Sequence, residues 1–157
     1  MVDTKTPTKR ASSAGSSQIW TDQERAAMQS SARERKAASR RDPAAERAEG
    51  ERDCQASIVK MPEPDRSMAE RLHGILMIAV PDLAPKTYYG MPAYAKGGNV
   101  ICWFKNASKF KTRYAMLEFS DKAHLDEGAM WPTSFALTEL TAAEEARIAA
   151  LVEKAAG

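Results

Sequence analysis

The sequence lacks several features that would assign a protein to a class directly. Only two of its 157 residues are cysteine. Cys54 and Cys102 lie far apart without a C-x-x-C pair, which is typical of reduced thiols in a cytosol. The longest apolar run extends only from Gly74 to Val80, far short of the roughly 18 residues of a membrane span. No apolar signal segment opens the chain. These absences predict a cytoplasmic protein without a membrane partner.

Sequence signatures of enzymes are also absent. The chain has no G-x-S-x-G, no G-x-x-x-x-G-K-[S/T], no G-x-G-x-x-G and no H-E-x-x-H motif. Cys102 is a candidate nucleophile, but it lies between Ile101 and Trp103 in a predicted strand. A buried thiol behaves there as a small apolar side chain with a raised pKa. The sequence therefore predicts a protein that is not an enzyme.

Charge and apolar residues divide the chain into three parts. Residues 1–18 have three basic side chains, one acidic side chain and seven Ser or Thr, which is too polar for a core and predicts a disordered tail. Residues 19–52 have eight basic and seven acidic side chains but few large apolar ones, which predicts a charged helical arm. Residues 53–157 have a net charge of −1 and most of the large apolar residues. We expect this last part to be the folded domain.

Capping signals predict where the helices begin. In a capping box, a Ser or Thr and a Glu three residues later satisfy each other's backbone amides. Asp followed by Pro is another start signal, because the proline ring suits the first helical position. The signals are the capping boxes Thr21/Glu24 and Thr141/Glu144, the pair Asp42-Pro43, and Pro64.

Short runs of β-type residues separate the two domain helices and predict strands. Gly97-Gly98 predicts a hairpin between two of the runs, and Pro92, which lacks a ladder donor, predicts an edge or a bulge. Sequential strands with short connections favour an α+β fold, with a twisted antiparallel sheet and helices packed on one face. The runs are Thr87–Met91, Ala93–Lys96, Asn99–Phe104, Tyr114–Phe119 and 133–140.

The segment 120–128 contains candidate metal ligands. A short helix beginning here would place Asp121 and His124 on one face at i, i+3, and Asp126 and Glu127 follow closely. Carboxylate oxygens with one imidazole suit iron, manganese or zinc. A shared cation requires the three carboxylates within about 5 Å of one another. The alternative is that the acidic residues only stabilise a helix N-terminus.

The segment 103–114 interleaves basic and aromatic residues. Positive charge beside aromatic rings is typical of proteins that bind single-stranded nucleic acid. The alternative is a charged rim that protects a sheet edge against aggregation. The basic residues are Lys105, Lys109, Lys111 and Arg113, and the aromatic residues are Trp103, Phe104, Phe110 and Tyr114. In this hypothesis the basic arm contributes further contacts.

A third candidate site is rich in tyrosine. Tyr88, Tyr89, Met91 and Tyr94 could line a small apolar pocket with a few phenol hydroxyls, which is the composition of many small-molecule sites. The alternative is a packed corner at a strand crossing.

Several segments of the domain resemble a known family. They are the helix 66–73, the tripeptide Pro81-Asp82-Leu83, and Tyr89-Gly90-Met91-Pro92-Ala93-Tyr94. Gly98, Phe104, Lys109, Phe110, the strand through Phe119 and the closing helix 148–152 extend the likeness. Over positions 55–155 the chain resembles the YdhG-like family, a bacterial family that is mostly of unknown function.

The resemblance implies a frataxin-like fold and a non-enzymatic binding protein. One branch of the family is regarded as an intracellular iron chaperone that delivers iron to iron–sulfur cluster and haem assembly. The implied cofactor is therefore weakly bound iron, and the implied partners are iron–sulfur assembly proteins. The first domain helix offers Glu63, Asp65 and Glu70, but Arg66 and Arg71 interrupt this acidic face.

Overall fold

The structure is a computed structural model that describes residues 21–38 and 42–157. The described residues belong to two compact units, 21–38 in one and 42–157 in the other. The tail predicted over residues 1–18 lies outside the described residues.

The first unit is described by helix α1, Asp22–Ala38. Its predicted capping box is confirmed, because the Thr21 hydroxyl accepts from Glu24 N at 3.1 Å and the Glu24 carboxylate accepts from Thr21 N at 3.0 Å. Over residues 21–35 every side chain is exposed except the half-buried Arg25. This part of the helix is therefore stabilised by its cap and by good helix formers rather than by a core.

The second unit is a mixed α+β domain, as predicted. Its elements are α2 Pro43–Val59, α3 Asp65–Ala79, β1 Ala84–Tyr88, β2 Met91–Lys96, β3 Asn99–Lys105, α4 Ala107–Phe110, β4 Ala115–Phe119, β5 Ser134–Leu137 and α5 Ala142–Ala156. The five strands form one sheet in the order β1-β2-β3-β4-β5. Each strand is antiparallel to its neighbours, so the connections stay short.

Helix α2 belongs to the sheet unit, which begins at residue 42 rather than at the predicted boundary of 53. The Arg47 guanidinium donates to the Pro81 carbonyl at 2.8 Å, and Cys54 and Ile58 are fully buried. These are the two buried residues of α2. Because the rest of the helix is polar or small, its sequence lacks the apolar stripe of a packed helix.

Within residues 42–157 the sheet has one face covered by helices and one face without helices, which we call the open face. Buried residues of α2, α3 and α5 form one core with Tyr94, Cys102 and Phe104. Side chains alternate along a strand, so the neighbours of these residues point to the opposite face. No helix of residues 42–157 contributes its buried apolar side chains to that opposite face. The open face carries Lys86, Tyr88, Met91, Ala93, Trp103, Lys105, Met116 and Glu118.

The run predicted as one strand over 87–91 contains a tight turn between β1 and β2. Tyr89 and Gly90 have φ angles of 49° and 76°, the left-handed conformations that two-residue hairpins require. Tyr88 pairs directly with Met91 across this turn. The turn residues include a tyrosine, which disfavours positive φ, so the sequence gives only a weak turn signal.

Pro92 lies on an interior strand and not on an edge. The ladder between β2 and β3 begins at the next residue, Ala93, and a register shift follows between Tyr94 and Ala95. The proline therefore lies just outside the ladder with β3, and the predicted irregularity occurs two residues further along. The two-glycine hairpin predicted between β2 and β3 is confirmed.

Candidate binding site on the open sheet face

Three aromatic side chains gather at one end of the open face. The rings of Tyr88 and Trp103 have centroids 5.0 Å apart and are tilted by 46°. Tyr89, on the hairpin turn, packs edge-on against Tyr88 with centroids 4.6 Å apart and is 80% exposed. The Trp103 indole N–H donates to the Glu118 carboxylate at 2.9 Å, which fixes the indole plane. We call these three residues the aromatic platform.

Basic side chains border the aromatic platform. Lys105 follows Trp103 by two residues and shares its face. The ammonium groups of Lys105 and Lys109 lie 4.9 and 5.4 Å from the Phe110 ring centroid, which is cation–π distance. Within the described residues, no cation of this group forms an ion pair. We call Lys86, Lys105 and Lys109 the basic rim, since the first two lie on the open-face strands and Lys109 donates to the Tyr89 carbonyl. The other two predicted basic residues, Lys111 and Arg113, are exposed between α4 and β4.

The open face therefore combines exposed ring area with unneutralised positive charge. Three cations belong to the rim, whereas Glu118 is the carboxylate among the open-face strand residues, and it is engaged by the Trp103 indole. Phe104, which the sequence pattern grouped with this site, is fully buried in the core on the other face. The sequence did not indicate that Tyr88 belongs to this site, because its contact with Trp103 depends on the pairing of β1, β2 and β3.

The structure does not bring together the four residues of the predicted small-molecule pocket. Tyr94 is buried in the core beneath the helices, whereas Tyr88 and Met91 lie on the open face. Tyr89 points outward from the turn. The reason is the hairpin itself, because a turn at positions 89 and 90 places the following residues on a second strand with its own alternation.

The predicted metal ligands lie on a loop and not on a helix. Asp121, His124 and Asp126 border an open groove of about 760 Å³, together with Lys96 and Lys122. All three predicted ligands are exposed. The two lysines bring positive charge into the same groove.

Glu127, the fourth predicted ligand, is also exposed. Within the part of the chain that the structure describes, no group of three or more His, Cys, Asp or Glu side chains is arranged to hold a metal ion. The geometry therefore gives the iron-carrier hypothesis no support at this loop.

A polar network extends from the half-buried Glu51 and His73 to the buried Tyr94 and Cys54 on the helix-covered face of the sheet. The Glu51 carboxylate is 2.9 Å from Nε2 of His73, and Nδ1 of His73 is 2.9 Å from the Tyr94 hydroxyl. The Cys54 thiol donates weakly to the same hydroxyl, with sulfur and oxygen 4.0 Å apart. Nε2 of His73 therefore donates to the Glu51 carboxylate, and Nδ1 shares a hydrogen bond with the Tyr94 hydroxyl.

Replacing Tyr94 with phenylalanine should lower the free energy of unfolding by about 1–3 kcal/mol, because His73 and Cys54 lose their shared partner in a buried site. Urea denaturation measures the change. The matched control is Tyr89→Phe, the same chemical change at an exposed position, which should alter stability by less than about 0.5 kcal/mol. Equal effects at the two positions would contradict the network.

Both thiols are held in their protonated form. Burial raises the pKa of Cys54 to about 11 and that of Cys102 to about 12. Because the thiolate is the reactive species, we expect neither thiol to react with a chromogenic disulfide reagent at pH 7 in the folded protein. Both should react within minutes in urea. A thiol that reacts in the folded protein as fast as free cysteine would contradict this placement.

The fold and the site define a class, an α+β domain with an open-faced antiparallel sheet. Comparisons with protein-family models, curated proteins and solved structures find no match for the chain. Membership of the YdhG-like family therefore stays a prediction. Among the helices of residues 21–38 and 42–157, none combines the length and apolar character needed to cross a membrane.

Proposed function

We propose that this protein binds single-stranded nucleic acid on the open face of its sheet. The observation that supports the proposal is the placement of the aromatic platform and the basic rim together on a sheet face that no helix of residues 42–157 covers. Bases offer flat apolar faces to Trp103 and Tyr88, and phosphates offer negative charge to the lysines. RNA-recognition sheets use the same combination of surface aromatic residues on antiparallel strands.

The expected energetics favour single strands over duplexes. A base stacked on an aromatic side chain contributes about 1–3 kcal/mol and needs no particular sequence. A duplex keeps its bases paired inside, so it can use only the phosphate contacts. Two half-buried rings, Tyr88 and Trp103, therefore provide a preference for unpaired bases.

The site supports binding rather than catalysis. Both cysteines lie on the helix-covered side of the sheet as protonated thiols, and Glu118 is already bonded to the Trp103 indole. The open-face strand residues offer no nucleophile paired with a base. We therefore keep the proposal of a non-enzymatic binding protein.

The test is a fluorescence-anisotropy titration of the full chain with labelled single-stranded DNA, single-stranded RNA and a duplex of the same sequence. The affinity for the single strands should fall steeply between 50 and 200 mM salt, because binding releases condensed cations from the strand and this release is less favourable at higher salt. Binding that does not depend on salt, or a preference for the duplex, would contradict the proposal.

Replacing Lys105 with methionine should reduce the slope of log affinity against log salt by about 0.7, the value for one lost phosphate contact on a single strand. Lys154→Met is the matched control, because it removes an exposed lysine from α5 on the helix-covered side. The control should leave the slope unchanged. Equal reductions by the two variants would show that net charge, and not this face, attracts the nucleic acid.

A further inference from the structure

A second open groove, which we call the cavity, lies between α2, the β1–β2 turn and the β3–α4 connection. Its volume is about 720 Å³, within the usual range for small-molecule sites. The wall includes the apolar side chains of Met61 and Pro62. The polar residues that line it carry ammonium, hydroxyl and carboxamide groups, and they include Lys60, Lys109, Thr87, Ser108 and Asn106. The exposed carboxylate of Asp53 completes the charges at its border.

Asn106 is the buried polar group of this cavity. It occupies the N-cap position of α4 but makes no capping bond with its side chain, and it is only 4% exposed. The capping role is taken by Asp65 of α3, whose carboxylate accepts from Ser108 N at 2.9 Å. The Asn106 carboxamide donates instead to the Ser108 hydroxyl at 3.0 Å.

The other end of that carboxamide is left for a ligand. The Asn106 carbonyl oxygen has no hydrogen-bond partner among the described residues. Every fully buried side-chain nitrogen or oxygen of the described residues has a partner, so this oxygen keeps some accessible surface, and Asn106 is one of the residues that line the cavity. It can accept a hydrogen bond from a hydroxyl or an N–H group.

The two lysines supply the complementary charge. Lys109 is held in place, because its ammonium donates to the Tyr89 carbonyl at 3.3 Å. Lys60 follows the last turn of α2 and borders the same cavity. Two ammonium groups against the single carboxylate of Asp53 favour an anionic ligand. The hydroxyls of Thr87 and Ser108 can donate to anionic oxygens as well.

We propose that this cavity binds a phosphate monoester that also carries hydroxyl or N–H donors, such as a nucleoside monophosphate. The ammonium groups and hydroxyls hold the phosphate, and the Asn106 carbonyl oxygen accepts from the rest of the molecule. The cavity shares Lys109 with the basic rim, but the inference does not require the open face to bind nucleic acid.

The ligand chemistry has two possible sources, a free mononucleotide and the terminal phosphate of a longer strand. Phe110 connects the two regions, since its ring contacts Lys105 of the open face and Lys109 of the cavity. A strand on the open face could therefore reach the cavity with its end.

Isothermal titration calorimetry of the full chain with adenosine monophosphate, adenosine and inorganic phosphate tests the proposal. Adenosine monophosphate should bind at least tenfold more tightly than either of the others. Lys60→Met should weaken that binding about tenfold, whereas Lys154→Met should not change it. Lys60 is exposed, so its replacement leaves the fold intact. Equal affinities for the three compounds, or an unchanged affinity in Lys60→Met, would overturn the proposal.

Oligonucleotides with a 5′-phosphate, a 3′-phosphate or no terminal phosphate distinguish the two sources. A gain from one terminal phosphate that disappears in Lys60→Met assigns the cavity to a strand end. No gain, with adenosine monophosphate still bound, assigns it to a free mononucleotide. Binding of adenosine monophosphate without any oligonucleotide binding would reject the proposed function and keep the cavity site. Oligonucleotide binding without any binding of adenosine monophosphate would reject the cavity site and keep the proposed function.

Discussion

Replacing Gly50 with alanine is expected to lower the free energy of unfolding by about 3 kcal/mol, at the upper end of the usual cost of overpacking. A Cβ at this position would lie 2.3 Å from the Pro85 carbonyl oxygen and 3.6 Å from Lys86 Cα. Both atoms are backbone, so no side-chain rotation relieves the clash. Helix α2 would have to move away from β1, which would loosen the burial of Cys54 and Ile58.

The control is the same substitution in the next helix. At Gly74 a Cβ meets no atom within 4 Å, so Gly74→Ala should raise stability by about 0.5–1 kcal/mol through helix propensity alone. Urea denaturation of both variants gives the comparison, and thermal unfolding of Gly50→Ala should shift down by roughly 10 °C. A neutral or stabilising effect of Gly50→Ala would show that α2 does not pack closely on β1.

Replacing Trp103 with alanine is expected to weaken the binding of single strands about 10- to 100-fold. This is the loss of one stacked base, about 1–3 kcal/mol. Trp103→Phe keeps a ring and should lose much less. Tyr88→Ala removes the neighbouring ring, which lies 5.0 Å away, and should also weaken binding about tenfold.

The binding variants need controls for folding and for position. Trp103 pairs across the strands with the buried Ala93, so thermal unfolding must show that each variant is folded. Ile78→Ala truncates an apolar side chain that is 83% exposed on α3, and it should leave the affinity unchanged. Equal losses in Ile78→Ala and Tyr88→Ala would contradict the open-face site.

Helices were predictable from the sequence where a cap and an apolar stripe coincide. The capping box of Thr141 and Glu144 precedes a helix whose Ile148 and Val152 are buried, and α5 forms there as predicted. Helix α2 has an N-cap but no apolar stripe, because it packs on the sheet through Cys54, Ile58 and the close approach of Gly50 to the Pro85 backbone. Its place in the domain depends on contacts with strands that follow it in the chain, which local patterns do not contain.

The candidate site was predictable only in part, because local sequence patterns show residues that are close in sequence but not contacts between distant strands. The cations of segment 103–114 are close in sequence, so their clustering was visible. The contact of Trp103 with Tyr88 joins β3 to β1 through the register of the intervening β2, and a turn at Tyr89 had to be known first. The loop 120–128 was misplaced on a helix because Ser120 resembles an N-cap, whereas its hydroxyl bonds the Val100 carbonyl.

The most direct test of the central claim is to map a bound oligonucleotide by amide and indole NMR on the full chain. We expect the largest shift changes at the Trp103 indole N–H and at the amides of β1–β4 around it, with Lys105 and Met116 among them. The amides of α3 and α5 should stay unchanged. Changes confined to the helix-covered side, or none at oligonucleotide concentrations that saturate binding, would contradict the assignment of this open sheet face.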